Sequence, residues 1–476
     1  MHRQQTKATM NLILNRQWTL TNTHSVLDQL CRLVFVRGFL KFGFLILPIL
    51  LTPVTAPANG VQVDERRVEA AGISQTKGRH LTLYTDDRDR KDLNELVTVY
   101  DLAVNQWCDH FQLDRAKAAN WKVDAFLMVD QDKFEKAGLI PDDLPQFPAG
   151  YAIGKDIWLY PQPGNYYTRH LLLHEGTHLF MNRFLGNFGP PWYSEGMAEW
   201  LGLHRWDADT RSLQLGYRVQ DRREAEYWGR VKIVQRELTQ GEGMSLDEVF
   251  AIGPTAFQNL RFYAWSWAAC EFLTHHPLTA KNFSRLKRDV DLPAHRFRRK
   301  VLTKLSKEQK RNLERDWNLF VHEIDYGYDI ARGTLVDAAP VQNPPSASSQ
   351  NQKFRVAADR SWLDTGIQLS QGEQVTITAQ GQYRVKMTDQ PWPCEAGGIT
   401  LKYYQGKPLG MLMAAVLPAP DQALDINQPL ISAQPVGQQQ TITAPNDGTL
   451  CLRINESPAD LADNSGGLEV TVQKLK

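Results

Sequence analysis

The chain has 476 residues, which at roughly 150 residues per domain predicts about three segments of domain size. Its 54 Lys and Arg residues balance 53 Asp and Glu residues, so charge gives no reason to expect a nucleic-acid partner or an anionic membrane surface. With 42% hydrophobic residues, 22% charged residues and 5 cysteines, the composition excludes a disordered chain, a multispanning membrane protein and a disulfide-dense scaffold.

The amino-terminal segment has the three parts of a secretory signal. A short apolar run at 42–51 follows several basic residues and precedes Ala56-Pro57-Ala58, which has the small-x-small form of a cleavage site. We therefore expect residues 1–58 to be a signal peptide and the mature chain to be periplasmic or otherwise extracellular, with no integral membrane anchor left. The alternative is an uncleaved anchor, although Arg37 and Pro48 interrupt the apolar stretch that a span of about 20 residues needs.

The rest of the chain divides by pattern into four segments. Residues 59–78 are polar and read as a spacer, and 79–335 alternate strand-like with helical periodicity, which predicts an α+β domain with a mixed sheet. Residues 336–353 are rich in Pro, Ser, Ala and Gln, as is typical of a flexible linker. Residues 354–476 alternate apolar and polar residues between turn formers, which predicts an all-β sandwich.

One short motif in the α+β segment carries chemistry. Residues 174–178 read His-Glu-Gly-Thr-His, so that on a helix His174 and His178 project from one face and can grip one metal ion. Glu175 is placed to reach a water at that metal without being a ligand. The alternative is a pair of unrelated histidines on a surface helix.

A catalytic zinc site needs a third protein ligand. Met181 and Phe184 stand where a metzincin has Gly and His, which excludes that class. Downstream, residues 191–200 read PWYSEGMAEW, and here the sequence resembles the gluzincin metallopeptidases, in particular the M1-aminopeptidase and peptidase-MA-like group. The resemblance implies a zincin-like domain in which Glu195 is the third zinc ligand. It also implies that Glu199 hydrogen-bonds a ligand histidine, whereas from the residues alone Glu199 is equally well a solvated helix carboxylate.

The same group carries a tyrosine on a later helix that donates a hydrogen bond to the developing oxyanion. The matching segment here begins at Tyr263, with Ser266 in place of the usual glycine. The resemblance therefore implies a catalytic Tyr263. Without it, a core aromatic is the simpler interpretation, since the surrounding helix is rich in Trp and Phe.

Together with the expected signal peptide, the resemblance implies an exported zinc peptidase in which Glu175 is the general base. The Gly-x-Met-x-Asn signature that binds a substrate amino terminus is missing, which favours an endopeptidase over an aminopeptidase. The substrate would be a peptide or glycoprotein. Two alternatives stay open: a non-catalytic carbohydrate-binding protein whose zinc site is structural or vestigial, and a zinc hydrolase acting on a non-peptide amide.

The carboxyl-terminal segment contains an acidic loop between two alternating strands. The order Ile-Asn-acid-x-Pro followed by acid-Asn-Ser-Gly resembles the calcium-dependent, galactose-binding bacterial lectins, whose fold is a jelly-roll sandwich. The resemblance implies a calcium ion and a carbohydrate ligand, with four candidate calcium ligands: Glu456, Asp460, Asp463 and Asn464. The plainer interpretation is a turn made of turn-favouring residues.

Four cysteines follow the expected cleavage site. Cys394 and Cys451 lie in one domain that we expect to be exported, and we predict that they form a disulfide. Cys108 and Cys270 lie in segments with helical periodicity, and whether they are oxidised or reduced stays open.

Overall fold

The computed structural model describes residues 60–224, 229–338, 351–386, 390–419 and 422–475. The predicted signal peptide, residues 1–58, lies outside the described residues. The described residues all belong to one compact unit. In the described ranges, no helix is both long and apolar enough to span a bilayer.

The first part of the described chain is α+β, as predicted. Its helices are α1 Glu65–Ala70, α2 Leu93–His110, α3 Arg115–Ala118, α4 Gln131–Lys136, α5 Asn165–Leu185, α6 Pro191–Gly202, α7 Gly229–Thr239, α8 Leu246–Phe250, α9 Leu260–His275, α10 Ala280–Leu286, α11 Ala294–Val301, α12 Lys307–Glu323 and α13 Ile330–Gly333. Its strands are β1 Ser74–Lys77, β2 Leu81–Thr85, β3 Val123–Leu127, β4 Gly150–Ile153, β5 Asp156–Leu159, β6 His204–Asp207 and β7 Ser212–Leu215.

The main sheet of this part has the order β1-β2-β3-β5-β4. Strands β2, β3 and β5 run parallel, and β1 and β4 are antiparallel at the two edges, so the sheet is mixed. Alternation along β3 sends Ala125 and Leu127 into the core that holds α2 and α5, and Phe126 into a second core on the other face. The sheet is therefore covered on both faces, and of its two edge strands it is β4 that lies beside α5.

Two glycines allow the helices above the sheet to approach closely. A Cβ at Gly176 would lie 2.6 Å from the Tyr100 ring and 2.7 Å from the Trp107 ring, so α2 packs directly on the backbone of α5. A Cβ at Gly196 would lie 2.5 Å from the carbonyl oxygen of Ser266, which brings α6 equally close to α9. The contacts at Gly176 explain why the His-Glu-Gly-Thr-His motif accepts a residue that weakens a helix by about 1 kcal/mol.

The prediction of a spacer over 59–78 is wrong for most of its length. Helix α1 and strand β1 lie within it, and β1 pairs antiparallel with β2. The side chains of Val68 and Ile73 are buried in the second core, and their burial explains why this polar segment is structured.

The carboxyl-terminal part of the described chain is all-β, also as predicted. Its strands are β8 Val336–Asp337, β9 Asn351–Ala357, β10 Leu363–Leu369, β11 Gln374–Gln380, β12 Tyr383–Lys386, β13 Pro391–Cys394, β14 Ile399–Tyr404, β15 Lys407–Leu409, β16 Leu412–Pro418, β17 Gln434–Pro435, β18 Gln439–Thr443, β19 Gly448–Ile454 and β20 Ser465–Lys474. One sheet has the order β17-β16-β19-β10-β8, and the other has the order β13-β12-β20-β11-β18, with β9 also paired to β20. A core from both sheets includes Leu452 and Val470.

The predicted linker, residues 336–353, is wrong at both ends. Strand β8 pairs in parallel with β10, and β9 begins at Asn351 and pairs with β20. The edge of β10 offers backbone hydrogen-bond partners to β8, and the polar composition of the segment gives no sign of this pairing. Val336 also packs against the sandwich core. The interval 339–350 lies outside the described residues.

The two parts of the chain share a core of their own. Leu319 of α12 is buried together with Trp362, Met413 and Leu417 from the sandwich. Beside them Arg453 of β19 donates a hydrogen bond to Glu323 Oε1 at the end of α12, over 2.7 Å. The sandwich is therefore packed against the α+β part.

The predicted disulfide is wrong, since Cys394 and Cys451 are both free and buried. Cys394 lies in the core between the two sheets, where its thiol donates to the hydroxyl oxygen of Tyr383. Cys451 belongs to the core shared with α12. The side chains of Leu450 and Leu452 occupy one face of β19 and Cys451 the other, so the strand itself separates the two thiols.

Candidate metal centre

Helix α5 carries both histidines of the motif. It is stopped by Gly186, whose φ of +75° is the left-handed conformation that glycine adopts readily at a helix end. His174 and His178 lie one turn apart on the same face, and their Nε2 atoms are 3.2 Å apart. The two ring nitrogens therefore point at the same place.

Helix α6 brings a carboxylate to these nitrogens. It begins at Pro191, a residue suited to the first helical position, after a turn that folds the chain back on α5. Oε2 of Glu195 lies 3.3 Å from Nε2 of His174 and 3.3 Å from Nε2 of His178. The structure thus brings together the three residues that the sequence suggested as metal ligands.

The three atoms have the spacing that a metal ion requires. Tetrahedral bonds of about 2.0–2.1 Å place ligand atoms about 3.3 Å apart and leave a fourth position open. The separations here are 3.2, 3.3 and 3.3 Å. This group, in which His174 is buried and His178 and Glu195 are partly buried, could hold a metal ion.

The hydrogen-bond partners of the rings support this interpretation. Nδ1 of His174 lies 3.3 Å from Oε1 of Glu199, and Nδ1 of His178 lies 3.2 Å from the hydroxyl of Ser194. A carboxylate only accepts, so His174 carries its proton on Nδ1, and His178 can do the same by donating to Ser194. In these tautomers, two bare ring nitrogens and a Glu195 oxygen converge without a donor among them, an arrangement that a cation between them would stabilise.

The electrostatics of the site also favour positive charge. Burial disfavours the imidazolium of His174, yet the nearby carboxylates of Glu195 and Glu199 raise its pKa to about 10. Burial likewise opposes ionisation of Glu195, but His178 and His174 lower the pKa of this carboxyl to about 2. The field at His174 therefore favours either a second proton on this ring or a metal ion in its place.

Glu175 lies on the same helix and faces the edge strand. Its side chain is buried, and burial is the main reason that its pKa is raised. A Cβ at Gly150 of β4 would lie 2.8 Å from Oε1 of Glu175, so the missing side chain leaves room for the carboxylate. The Glu175 carboxylate therefore lies next to β4, an edge strand of the main sheet.

Tyr263 on α9 completes the surroundings of the site. Its ring centroid lies 6.0 Å from that of His174, and it contacts Phe257 edge-on at 5.0 Å. Burial, followed by the charge of Glu195, raises the pKa of the Tyr263 phenol. The hydroxyl therefore keeps its proton and is available as a donor.

Glu199 interacts with more groups than the sequence suggested. Its two oxygens lie 3.3 Å from His174 Nδ1 and 3.3 Å from His170 Nε2, and both are also bound by Arg230. His170 precedes His174 by one helical turn, so the i, i+4 spacing in the sequence could have identified it. Arg230 and Ser194 have no comparable local signal.

The predicted calcium ligands are only partly brought together. Glu456 and Asn464 are buried, and Asn464 Nδ2 donates to Glu456 Oε2 over 2.9 Å. Burial raises the pKa of Glu456 to about 7. Oε1 of Glu456 and Oδ1 of Asn464 are buried without a hydrogen-bond partner.

The other two predicted ligands are exposed and face lysines. Asp460 lies 3.8 Å from the ammonium of Lys402, and Asp463 lies 3.8 Å from that of Lys386. Within the described ranges, no three His, Cys, Asp or Glu ligand atoms converge at this loop. The lysine ammonium groups therefore already offset part of the negative charge of these two carboxylates.

Comparisons with known proteins identify no family. No family model matches the chain, and no curated protein matches it. Among solved structures, the chain is similar to the amino-terminal domain of EclA, described as a PllA-like lectin, at 24% identity over 27% of this chain and 100% of that chain, with a TM-score of 0.20. It is also similar to PliG of Aeromonas hydrophila, a periplasmic inhibitor of g-type lysozyme, at 12% identity over 30% of this chain and 97% of that chain, with a TM-score of 0.18. At these TM-scores neither likeness bears on what this chain does.

Proposed function

We propose that this protein is a zinc-dependent peptidase of gluzincin type. The observation that carries the proposal is the convergence of His174 Nε2, His178 Nε2 and Glu195 Oε2 within 3.2–3.3 Å of one another, with Glu175 beside them. Two imidazole nitrogens and one carboxylate oxygen are a donor set that suits zinc and leave a position open for chemistry. A purely structural site has no use for a buried base next to it.

Zinc held by these three residues supplies a Lewis acid that polarises a carbonyl and makes water a stronger nucleophile at neutral pH. The protein's own part is acid–base chemistry. Glu175 accepts the proton of the attacking water and then delivers a proton to the leaving nitrogen. Burial raises the pKa of Glu175, which makes it a better base than an ordinary carboxylate.

Tyr263 and strand β4 complete the proposed site. The Tyr263 hydroxyl donates a hydrogen bond to the oxyanion as the carbonyl becomes tetrahedral. The free edge of β4 offers backbone donors and acceptors to an extended chain, which favours a peptide over a small amide as substrate. Since an edge strand accepts any register along a chain, we propose endopeptidase activity on exported peptides or glycoproteins.

The decisive experiment measures zinc content and peptidase activity in parallel. Glu175→Gln should keep one zinc per chain and lose about two to four powers of ten in kcat, the range for removal of a general base. Glu195→Ala should instead lose zinc. Glu308→Gln, an exposed carboxylate on α12, is the matched control and should change neither quantity.

The outcomes separate the alternatives. Zinc bound by the parent with no peptide cleavage in any profile would favour a structural zinc site or a non-peptide amide substrate. Near-full activity of Glu175→Gln would exclude Glu175 as the base. Undiminished zinc in Glu195→Ala would mean that a different residue is the third ligand.

As a second candidate function, we propose a calcium site at the loop after β19, which would support a carbohydrate-binding module. It rests on the two buried oxygens without partners, Glu456 Oε1 and Asn464 Oδ1. Calcium favours such carboxylate and amide oxygens, and an incomplete site should bind with a Kd of about 10⁻⁴–10⁻³ M.

The calcium site is tested in the full chain. Millimolar calcium, but not magnesium, should raise the Tm, and Asp463→Ala combined with Asn464→Ala should abolish the rise. Asp142→Ala, at an exposed carboxylate of the α+β part, should leave it unchanged. A parent protein that shows no rise would exclude the ion and any sugar bound through it.

A further inference from the structure

Glu199 lies at the centre of a buried charge cluster behind the metal centre. Arg230, the second residue of α7, binds it with the fork of its guanidinium: Nε lies 2.6 Å from Oε2, and Nη2 lies 2.6 Å from Oε1. The Glu199 side chain is only 3% exposed and that of Arg230 only 19% exposed. Such a bidentate pair fixes the plane of the carboxylate as well as its position.

Each oxygen that Arg230 holds also faces a histidine. Oε1 lies 3.3 Å from Nδ1 of His174, and Oε2 lies 3.3 Å from Nε2 of His170. The direction of the His174 ring is thus set by a carboxylate whose own direction is set by Arg230. A carboxylate held in this way accepts from Nδ1 of His174 and leaves Nε2 bare toward Glu195 and His178.

The same contacts show whether the positive charge beside Glu199 comes from a second metal ion or from the guanidinium of Arg230. His170, His174 and Glu199 offer a second group of ligand atoms close enough to surround an ion. Both oxygens of Glu199 are already bound by Arg230 at 2.6 Å, so a permanent cation serves this carboxylate. The second group is therefore built around an arginine, and only the first group, His174, His178 and Glu195, is left to hold a metal ion.

Arg230 also contacts Tyr263 on α9. Its guanidinium carbon lies 5.9 Å from the centre of the Tyr263 ring, within the range of a cation–π contact. One side chain thus touches both the carboxylate that orients His174 and the aromatic ring on α9. Helices α5, α6 and α9, which carry these partners, are separated from α7 in the sequence, so only the fold brings them to Arg230.

We propose that Arg230 is a positioning residue of the metal centre, which fixes Glu199 and, through it, the His174 ring in its metal-binding tautomer. The inference rests on the metal-binding part of the proposed function and is independent of which bond is cleaved. Removal of a partner that orients a metal ligand typically costs 10- to 100-fold in metal affinity. That loss is expected although Arg230 touches no metal-ligand atom.

Zinc itself is the probe, titrated into metal-free full-length protein against a competing chromophoric chelator. Arg230→Ala should weaken zinc binding 10- to 100-fold, and Arg230→Lys, which keeps the charge but not the fork, should fall between this variant and the parent. Added guanidinium ion should restore part of the affinity of Arg230→Ala and leave that of the parent unchanged. Arg236→Ala, on the same helix and 59% exposed, is the matched control and should bind zinc like the parent.

A second readout separates positioning from general destabilisation. In the cobalt-substituted protein, the visible absorption of the ion should change in Arg230→Ala and return toward that of the parent with guanidinium. Parent-like zinc affinity in a folded Arg230→Ala would overturn the proposal. So would a loss that guanidinium does not restore and that matches a lower free energy of unfolding, because it would assign Arg230 to stability alone.

The test also distinguishes this inference from the proposed peptidase. A parent that binds zinc tightly without cleaving peptides would contradict the proposed activity and leave the role of Arg230 intact. A parent that binds no zinc would overturn both.

Discussion

At the candidate metal centre, the ring of each motif histidine is oriented by a hydrogen-bond partner. Ser194 faces Nδ1 of His178 as Glu199 faces Nδ1 of His174, so both rings direct Nε2 at Glu195. A metal ligand without such a partner could rotate or change tautomer, and either change would move the lone pair away from the ion.

The role of the Tyr263 hydroxyl can be tested by removing one oxygen atom. Tyr263→Phe keeps the ring that packs against Phe257 and removes only the hydroxyl. If the hydroxyl stabilises the oxyanion, kcat should fall by roughly 10²–10³ while the free energy of unfolding and the zinc content stay close to those of the parent. Steady-state kinetics with a cleaved peptide measure the effect, and unchanged turnover would make Tyr263 a packing residue.

His110 should make the protein sensitive to acid. Burial, with a smaller contribution from Lys287, lowers the pKa of His110 to about 3, whereas in the unfolded chain it is near the ordinary 6.5. Between these values the unfolded state binds a proton that the folded state does not, so stability is full above about pH 6.5 and falls as pH is lowered toward 3.

The contribution of His110 amounts to roughly 1.4 kcal/mol per pH unit in that window. His110→Phe keeps a planar ring beside Phe111 and Trp200 and removes the titrating group. The free energy of unfolding of this variant, measured by urea titration from pH 4 to pH 7, should therefore fall less steeply with acid than that of the parent. Parallel curves for the two proteins would contradict the assignment.

At the scale of elements, the site depends on how closely α5 and α6 approach their neighbours. Glu195 reaches the two imidazoles because α6 lies against α9, and this approach is possible because residue 196 has no side chain. Glycine at position 196 lowers the helix propensity of α6, but it allows the close approach to α9 that places the Glu195 carboxylate.

Gly196→Ala tests this closeness. The added methyl would lie 2.5 Å from the carbonyl oxygen of Ser266 and 2.6 Å from the thiol of Cys270. Helices α6 and α9 must then move apart, which should lower the free energy of unfolding by about 1–3 kcal/mol. This loss outweighs the gain of about 1 kcal/mol that alanine brings in helix propensity. Zinc binding should weaken as well. Gly253→Ala, where an added methyl meets nothing within 4 Å, is the control and should change stability by less than about 0.5 kcal/mol.

At the scale of the whole molecule, a polar contact and a shared core join the sandwich to the α+β part. Arg453 donates to Glu323 Oε1 over 2.7 Å and to the carbonyl oxygen of Glu456 over 2.8 Å, and its guanidinium lies 5.2 Å from the Trp362 ring centre. The base of the acidic loop is thus held by the same arginine that holds α12.

Arg453→Met should therefore destabilise the molecule as a whole. The change leaves the Glu323 carboxylate, only 13% exposed, without its partner, and breaking a buried pair in this way typically costs about 3–5 kcal/mol. Lys300→Met is the control, because its pair with Asp289 is 46% and 50% exposed and should contribute no more than about 1 kcal/mol. Urea unfolding followed by tryptophan fluorescence measures both. Equal, small effects would show that the contact between the two parts is not stabilising.

The sequence alone determined whatever depends on neighbours along the chain. The spacing of His174 and His178 places both on one face of a helix, and alternation along β19 and β20 identifies a sandwich, because the periods of helix and strand are local properties. The resemblance around residues 191–200 added Glu195, which the structure brings to both histidines, and Glu199, which it brings to His174.

Tertiary structure decided everything that depends on approach between distant segments. The meeting of Arg230 with Glu199, the pairing of β8 with β10 and the contact of Leu319 with the sandwich join residues that are far apart in sequence or carry no periodic signal. The predicted disulfide failed for the same reason, since only the packed molecule shows that Cys394 and Cys451 occupy different cores. Composition and spacing limit which residues can react, and the packing of helices and sheets determines which of them meet.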